Sequence, residues 1–265
     1  MSEIPEYTVV VSLDAKHIEQ FSHTWPTWKK NKPSLISHPM VAIYDGKQLT
    51  DERVADVIDH PYLVMADWNQ HCALDYGNGT DKWYNPQRYR MLASFVHMPG
   101  RFVKTPYWLK IDTDAVAMGM DDWIDPTWFD NNPAIISHPW GFTRPPNQME
   151  LLDAWVEKHE LLTELKKHTP LELHPKPGED RVCHPRIGSW CAFFNTQFTR
   201  ECSEWAEATC GTGLLPVPSQ DGYLWYCAKR LELGIVRPRM KARGWQIWST
   251  IKNIKKAVGE ASNAI

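Results

Sequence analysis

Tyr107-Trp108-Leu109-Lys110-Ile111-Asp112-Thr113-Asp114-Ala115 runs an apolar, aromatic-rich stretch of strand character straight into two carboxylates spaced i, i+2. Side chains alternate faces along a strand, so Asp112 and Asp114 point the same way while the strand lasts, and both reach one point where it ends. Two hard oxygen ligands at the mouth of a sheet suit Mg²⁺ or Mn²⁺, ions that also take oxygens from substrate phosphates. The carboxyl edge of an open α/β sheet is where such folds bind ligands. Taken alone, Asp-Thr-Asp also suits a loop that opens a helix, with Asp as its N-cap. The apolar Ala115-Val116-Ala117-Met118 that follows argues against a solvated loop.

The flanking sequence alternates strand and helix signals. Tyr7–Leu13 reads as a first strand, His17–Trp28 as a helix, Met40–Tyr44 as a second strand ended by the turn dipeptide Asp45-Gly46. A helix around Asp51–Ile58, a strand at Tyr62–Ala66 and a helix from Pro86 to His97 precede the carboxylate strand. Beyond it lie a short strand at Ala134–Ser137, a helix from Gln148 to Leu165, and a Pro- and His-rich stretch, 166–187, that reads as a surface loop. Trp190–Phe194 is strand, Thr199–Ala208 helix, and Ser219-Gln220-Asp221 can cap a helix running to about Leu233. The pattern predicts an α/β, Rossmann-like domain with a mainly parallel central sheet flanked by helices. It is expected to occupy residues 1–240, with 241–265 a basic C-terminal segment packed on or near the ligand site.

The chain has 265 residues, long enough for a real core, and a net charge of −3. That charge is unevenly placed. Residues 229–256 carry nine Lys or Arg against Glu232 alone, a local +8, so the remainder sums to −11. Such asymmetry marks a face turned toward phosphate or another polyanion. Six cysteines show neither CxxC nor paired zinc spacing and read as buried free thiols. No secretory signal or membrane-length apolar run is visible, so the expectation is a soluble, cytoplasmic protein, with peripheral membrane association left open. Fourteen tryptophans exceed what composition predicts. Most belong in a core, whereas Trp140, Trp190 and Trp245, beside Gly or Pro at expected strand ends, are candidates for stacking on a sugar or base.

The order of segments resembles that of nucleotide-sugar glycosyltransferases of the GT-A fold. Tyr107–Ile111 with Asp112-Thr113-Asp114 resembles the family's metal-binding DxD. Ile187-Gly188-Ser-Trp-Cys-Ala-Phe-Phe-Asn195 resembles the glycine-containing strand that follows, and Pro216-Val-Pro-Ser-Gln-Asp221 the entry to the helix beyond, as in retaining family-8-type enzymes. The resemblance implies Mn²⁺ or Mg²⁺ held by Asp112 and Asp114 with the diphosphate of a nucleotide-sugar donor. Asp114 is the direct ligand in this reading, and Asp112 a ligand or a ribose contact. Asp45 lies where base or ribose binds in such proteins, or simply holds a surface turn. Arg88 and Arg90 either reach the diphosphate or are solvated helix charges. Asp221 serves the acceptor side, deprotonating its hydroxyl or positioning the reacting sugar, or is a helix N-cap.

One departure is clear. Related metal-dependent enzymes often close the site with a C-terminal histidine, and none of the 11 His lies beyond His184. Arg237-Pro-Arg239-Met-Lys241-Ala-Arg243 stands there instead, so Lys241 and Arg243 are candidates to neutralise the diphosphate. The favoured acceptor is a saccharide or glycoconjugate. The +8 segment keeps open a glycosyltransferase acting on hydroxylated bases of DNA. Residues 245–258 carry an apolar stripe, Trp248, Ile251, Ile254 and Val258, beside Lys252, Lys255 and Lys256, which either docks on its own core or lies on an anionic surface. A nucleotidyltransferase is the competing enzyme class, but Ser12-Leu13-Asp14-Ala15-Lys16 holds no glycine for a phosphate loop. A degenerate nucleotide-sugar-binding module is the third possibility. Donor sugar, stereochemistry and oligomeric state are not encoded in any motif.

Overall fold

The computed structural model describes residues 3–71, 93–144, 182–210, 224, 227–228, 233–238, 242–243 and 250–262. A seven-stranded sheet runs in the order β3-β2-β1-β4-β7-β6-β8. Its strands are β1 (Tyr7–Leu13), β2 (Met40–Tyr44), β3 (Leu63–Asp67), β4 (Tyr107–Ile111), β6 (Ile135–Arg144), β7 (Val182–Asn195) and β8 (Ile235–Val236). The pairs β1/β2, β1/β4, β2/β3 and β6/β8 are parallel, whereas β7 is antiparallel to both β4 and β6. The sheet is therefore mostly parallel but mixed. A second, two-stranded sheet joins β5 (Val116–Ala117) to β9 (Ala242–Arg243).

Why these strands form is written in their burial. β2 and β4 are buried at every position, as expected of central strands covered on both faces. Alternate residues divide into two cores. Val10, Val41, Ile43, Trp108, Ala192 and Phe194 face one side. Val9, Val11, Ala42, Leu109, Ile111, Cys191 and Phe193 face the other. Helix α1 (Ala15–Asn31) covers the second face with Ile18, Phe21, Trp25 and Trp28. Helix α3 (Thr196–Cys210) covers the first with Phe198 and Cys202. α2 (Asp51–Ile58) is capped by Thr50, whose hydroxyl accepts from Arg53 N. α4 (Ile251–Ser262) buries Ile254, Ala257 and Ala261, and leaves Lys252, Lys255 and Lys256 exposed. Ala257 and Ala261 pack with Val116 of β5, so the apolar stripe of α4 is spent on the molecule's own core.

Several boundaries differ from the sequence reading. The strand placed at Ala134–Ser137 extends to Arg144, and the one at Trp190–Phe194 begins at Val182, so 182–187 is strand and not loop. The two make a long antiparallel hairpin with an irregularity between Ser137 and His138. Cross-strand pairing there overrides the Pro- and His-rich composition that signalled a loop. Pro26 sits inside α1, which continues to Asn31. Residues 93–97 form a π-helical turn followed by a short helix at Met98–Phe102. Of the helix expected from Pro86 to His97, residues 86–92 lie outside the described residues, as do all of the helix expected at Gln148–Leu165 and most of the one expected from Ser219 to about Leu233. Cys191, Cys202 and Cys227 are buried and form no disulfide.

Candidate functional site

β4 is flanked by β1 and β7, and its last residue delivers the chain to the carboxyl edge of the parallel strands. There the backbone turns, with Ala115 N donating to Asp112 O at 3.0 Å. Asp114 is 6% exposed. Burial, then the negative charge of Asp112, push its carboxyl up to about 7. Lys110 and His17 act in the opposite direction. Asp112 is the more open of the pair, and its Oδ1 forms an ion pair with the buried Lys110 ammonium. That ammonium also lies 3.9 Å from the centre of the Phe95 ring.

The segment beyond Asp112 is pinned by α1 through a polar stripe. Gln20 Oε1 accepts from Thr113 Oγ1 at 2.9 Å, and Thr24 Oγ1 donates to Thr113 O at 2.7 Å. Farther along, Trp28 Nε1 donates to Ala115 O at 2.8 Å, Asn31 Nδ2 to Ala117 O at 2.9 Å, and Lys32 Nζ to Met118 O at 2.7 Å. Ala117 N returns a bond to Thr27 Oγ1 at 3.1 Å. Residues 24, 27, 28 and 31 recur at helical spacing while carbonyls 113, 115 and 117 recur at strand spacing. The carboxylate loop is thus fixed by side chains that lie nearly ninety positions earlier.

At the end of β1, Asp14 caps α1: its Oδ1 accepts from Lys16 N at 2.9 Å and His17 N at 2.8 Å. The His17 ring nitrogen Nδ1 also lies 2.8 Å from Asp14 Oδ1. Burial pushes the Asp14 carboxyl up, but these bonds from His17 and Lys16 outweigh it and hold the group at about 2. The sequence reading passed over this pair. Its signal was a helix-opening Asp followed three residues later by His, at the end of the strand beside the carboxylate strand.

Asp45, at the end of β2, is buried and serves its own loop. Its Oδ1 accepts from Lys47 N at 3.1 Å and Asn69 Nδ2 at 2.9 Å, its Oδ2 from Gln48 Nε2 at 2.6 Å. Asp67, at the end of β3, accepts from Gly46 N at 3.0 Å and from Asn69 N at 2.9 Å. A Cβ at position 46 would run into the Asp67 carboxylate, which is why the turn carries glycine. Asp45 shares the carboxyl edge with Asp112 and Asp114, but its oxygens already hold the turn.

The basic C-terminal segment returns to the same place. Arg243 in β9 pairs with Val116 of β5, two residues beyond Asp114. Trp140 and Trp190 lie in the β6–β7 hairpin, with Trp140 opposite Arg186. Arg88, Arg90, Asp221, Lys241 and Trp245 fall outside the described residues. Among the described residues, Trp25, Trp28, Trp108 and Trp123 are buried in the core.

Among the described residues no cluster of three or more His, Cys, Asp or Glu is spaced to hold a metal by itself. Asp112 and Asp114 nevertheless fit a divalent cation. Their mutual repulsion is what such an ion relieves, and carboxylate oxygen is its preferred ligand.

No family model matches the chain, and no curated protein matches it in sequence. Solved structures do match in fold. Core-mannan synthase A from Aspergillus fumigatus, determined in an Mn/GDP form, superposes with a TM-score of 0.52 at 14% identity, covering 86% of this chain and 70% of that one. Mouse xyloside xylosyltransferase 1 gives 0.52 at 8% identity over 88% and 85%. The galactosyltransferase LgtC, in complex with donor and acceptor sugar analogs, gives 0.51 at 7% identity over 96% of each chain. The chain has the GT-A fold of these glycosyltransferases.

Proposed function

We propose that the protein is a glycosyltransferase that moves a sugar from a nucleotide-sugar donor to a hydroxyl acceptor, with a divalent cation at the donor site. The observation that carries this reading is the Asp112–Asp114 pair at the carboxyl edge, with Asp114 buried and destabilised by its neighbour's charge. Core-mannan synthase A, solved with Mn and GDP, shares the fold and supports the same use of the edge. A bound Mn²⁺ or Mg²⁺ would be held by Asp114, with Asp112 adjoining, and would neutralise charge on the departing nucleoside diphosphate.

This chain's own residues do the remainder. α1 fixes the loop so that the carboxylates need no reorganisation on binding. Lys110 balances part of the negative charge of Asp112. Arg243, whose backbone pairs with Val116, and Lys241 are assigned to the donor diphosphate. Arg88 and Arg90 are assigned to the same group, and Asp45 to the loop bordering base and ribose. Asp221 is assigned to the acceptor hydroxyl, with Trp140, Trp190 and Trp245 to the acceptor's sugar rings. That acceptor is a saccharide or glycoconjugate. The exposed Lys252, Lys255 and Lys256 of α4 favour one second reading, a hydroxylated base of DNA.

Calorimetric titration with nucleoside diphosphates, with and without Mn²⁺, tests the proposal. Metal-linked binding in the wild type that disappears in Asp114→Asn is the expected result. Binding indifferent to both metal and substitution would remove the reading.

A further inference from the structure

The polar stripe of α1 does not end at Gln20. One turn earlier on the same face, about 4.5 Å back along the axis, stands His17. Gln20 and Thr24 both bond Thr113, so this continuation carries the stripe toward the carboxylates on either side of Thr113. The His17 ring is oriented, because a carboxylate only accepts: Nδ1 gives its hydrogen to Asp14 Oδ1 at 2.8 Å. Nε2 is the ring atom left for a ligand, on a side chain that is 42% exposed.

Two observations narrow what that ligand is. The backbone N–H groups of Lys16 and His17 are taken by Asp14, so the start of α1 offers no backbone anion site. No three-residue metal cluster includes His17 among the described residues. Meanwhile Asp114 is buried, two residues from the more open Asp112, whose carboxylate is paired with Lys110. A diphosphate chelated to a cation at Asp114 spans more than one bond length of reach, and its outer oxygens need donors.

Resting on the proposed donor site, we propose that His17 is a donor-binding residue. Its Nε2–H hydrogen-bonds a diphosphate oxygen of the cation-bound donor, with Asp14 as the positioning residue that holds the ring. This gives the N-terminal helix a place in donor recognition. The contact is with the phosphates common to all nucleotide sugars and is independent of base and sugar.

Mn²⁺ with inorganic pyrophosphate is the probe, followed by calorimetry on the full chain. His17→Ala should bind Mn²⁺-pyrophosphate at least tenfold more weakly than wild type, with its thermal midpoint unchanged. Asp14→Asn keeps a capping oxygen and should show a smaller loss. Should His17→Ala misfold, His17→Gln is read in the same way. Wild-type pyrophosphate affinity in a folded His17 variant overturns the assignment. Pulsed EPR of bound Mn²⁺ adds a second readout: a nitrogen coupling lost in the His17 variant would place the ring on the metal and overturn the phosphate contact. The donor-site reading fails differently, by absence of Mn²⁺-pyrophosphate binding in wild type or by its survival in Asp114→Asn, and either outcome removes this inference with it.

Discussion

Thr24 Oγ1 donates to the carbonyl of Thr113 at 2.7 Å, so one hydroxyl on the first helix anchors the residue between the two candidate metal-binding carboxylates. Both groups are buried. Thr24→Val keeps the shape but strands the carbonyl, at a cost of about 1–3 kcal/mol. Urea denaturation should register that loss. Calorimetry should show weaker Mn²⁺-linked nucleotide binding in the folded variant, because the loop loses a constraint.

Asp114→Asn is expected to separate function from stability. The carboxylate is buried against Asp112, so removing its charge relieves repulsion that the metal-free protein carries at neutral pH and above. The apo variant should melt no lower than wild type, while the cation-linked gain in thermal midpoint expected of wild type with nucleoside diphosphate should disappear. A lowered apo midpoint would mean that the carboxylate holds the loop together instead.

Lys110 and Asp112 form the ion pair at this edge, with the lysine almost wholly buried. Lys110→Met leaves the Asp112 charge beside Asp114 with less compensation. A loss of about 1–3 kcal/mol is expected, less than for a fully buried pair because Asp112 is partly solvated. Adding Asp112→Asn should recover much of it, and a double-mutant cycle by chemical denaturation measures the coupling.

Acid should weaken the fold through its buried histidines, above the range in which ordinary carboxylates titrate. Burial first, and Arg101 second, hold His97 at about 4, against 6.5 for an ordinary imidazole. Burial also lowers His38 and His60. Above 6.5 both folded and unfolded His97 are neutral and the group contributes no pH dependence. Between 6.5 and 4 the unfolded chain binds a proton that the folded one refuses, so stability falls as pH falls, by on the order of 2–3 kcal/mol in all for His97. His97→Gln should flatten that part of a plot of unfolding free energy against pH.

The lysines of α4 test the second acceptor reading. Lys252, Lys255 and Lys256 are exposed, and the helix's apolar side is already used. If DNA is bound there, affinity falls with salt by roughly 0.9 log unit per log unit of salt for each phosphate neutralised. Replacing the three with Gln should lower that slope without changing Mn²⁺-linked nucleotide binding. No gel shift with DNA at low salt leaves the saccharide reading.

The central strands were legible because burial on both faces leaves a dense apolar signal. Tyr7–Leu13, Met40–Tyr44 and Tyr107–Ile111 agree with the sequence reading to the residue. The hairpin was not, since residues 182–187 owe their extended form to partners on β6 and carry little apolar periodicity of their own. The carboxylate pair announced itself through its position after a strand. Its supports did not: Gln20, Thr24 and Asn31 look like ordinary polar helix positions until the backbone they bond is known. Asp45 shows the converse, a suggestive place at a strand end whose oxygens serve a turn fixed by Asn69, twenty-four positions later.

The separation of 86–89 positions between α1 and the carbonyls it binds has a consequence for synthesis. On a ribosome, the helix emerges on the order of 5–20 s before its partners. During that interval Thr24, Asn31 and the Lys32 ammonium, all buried in the finished molecule, must be hydrated or shielded by another protein. A pause before residue 113 would prolong the exposure of a nascent helix whose inward side carries Ile18, Phe21, Trp25 and Trp28 as well as this polar stripe, with neither yet partnered. Translation tempo over that stretch should therefore affect the yield of folded protein more than tempo near the C-terminus.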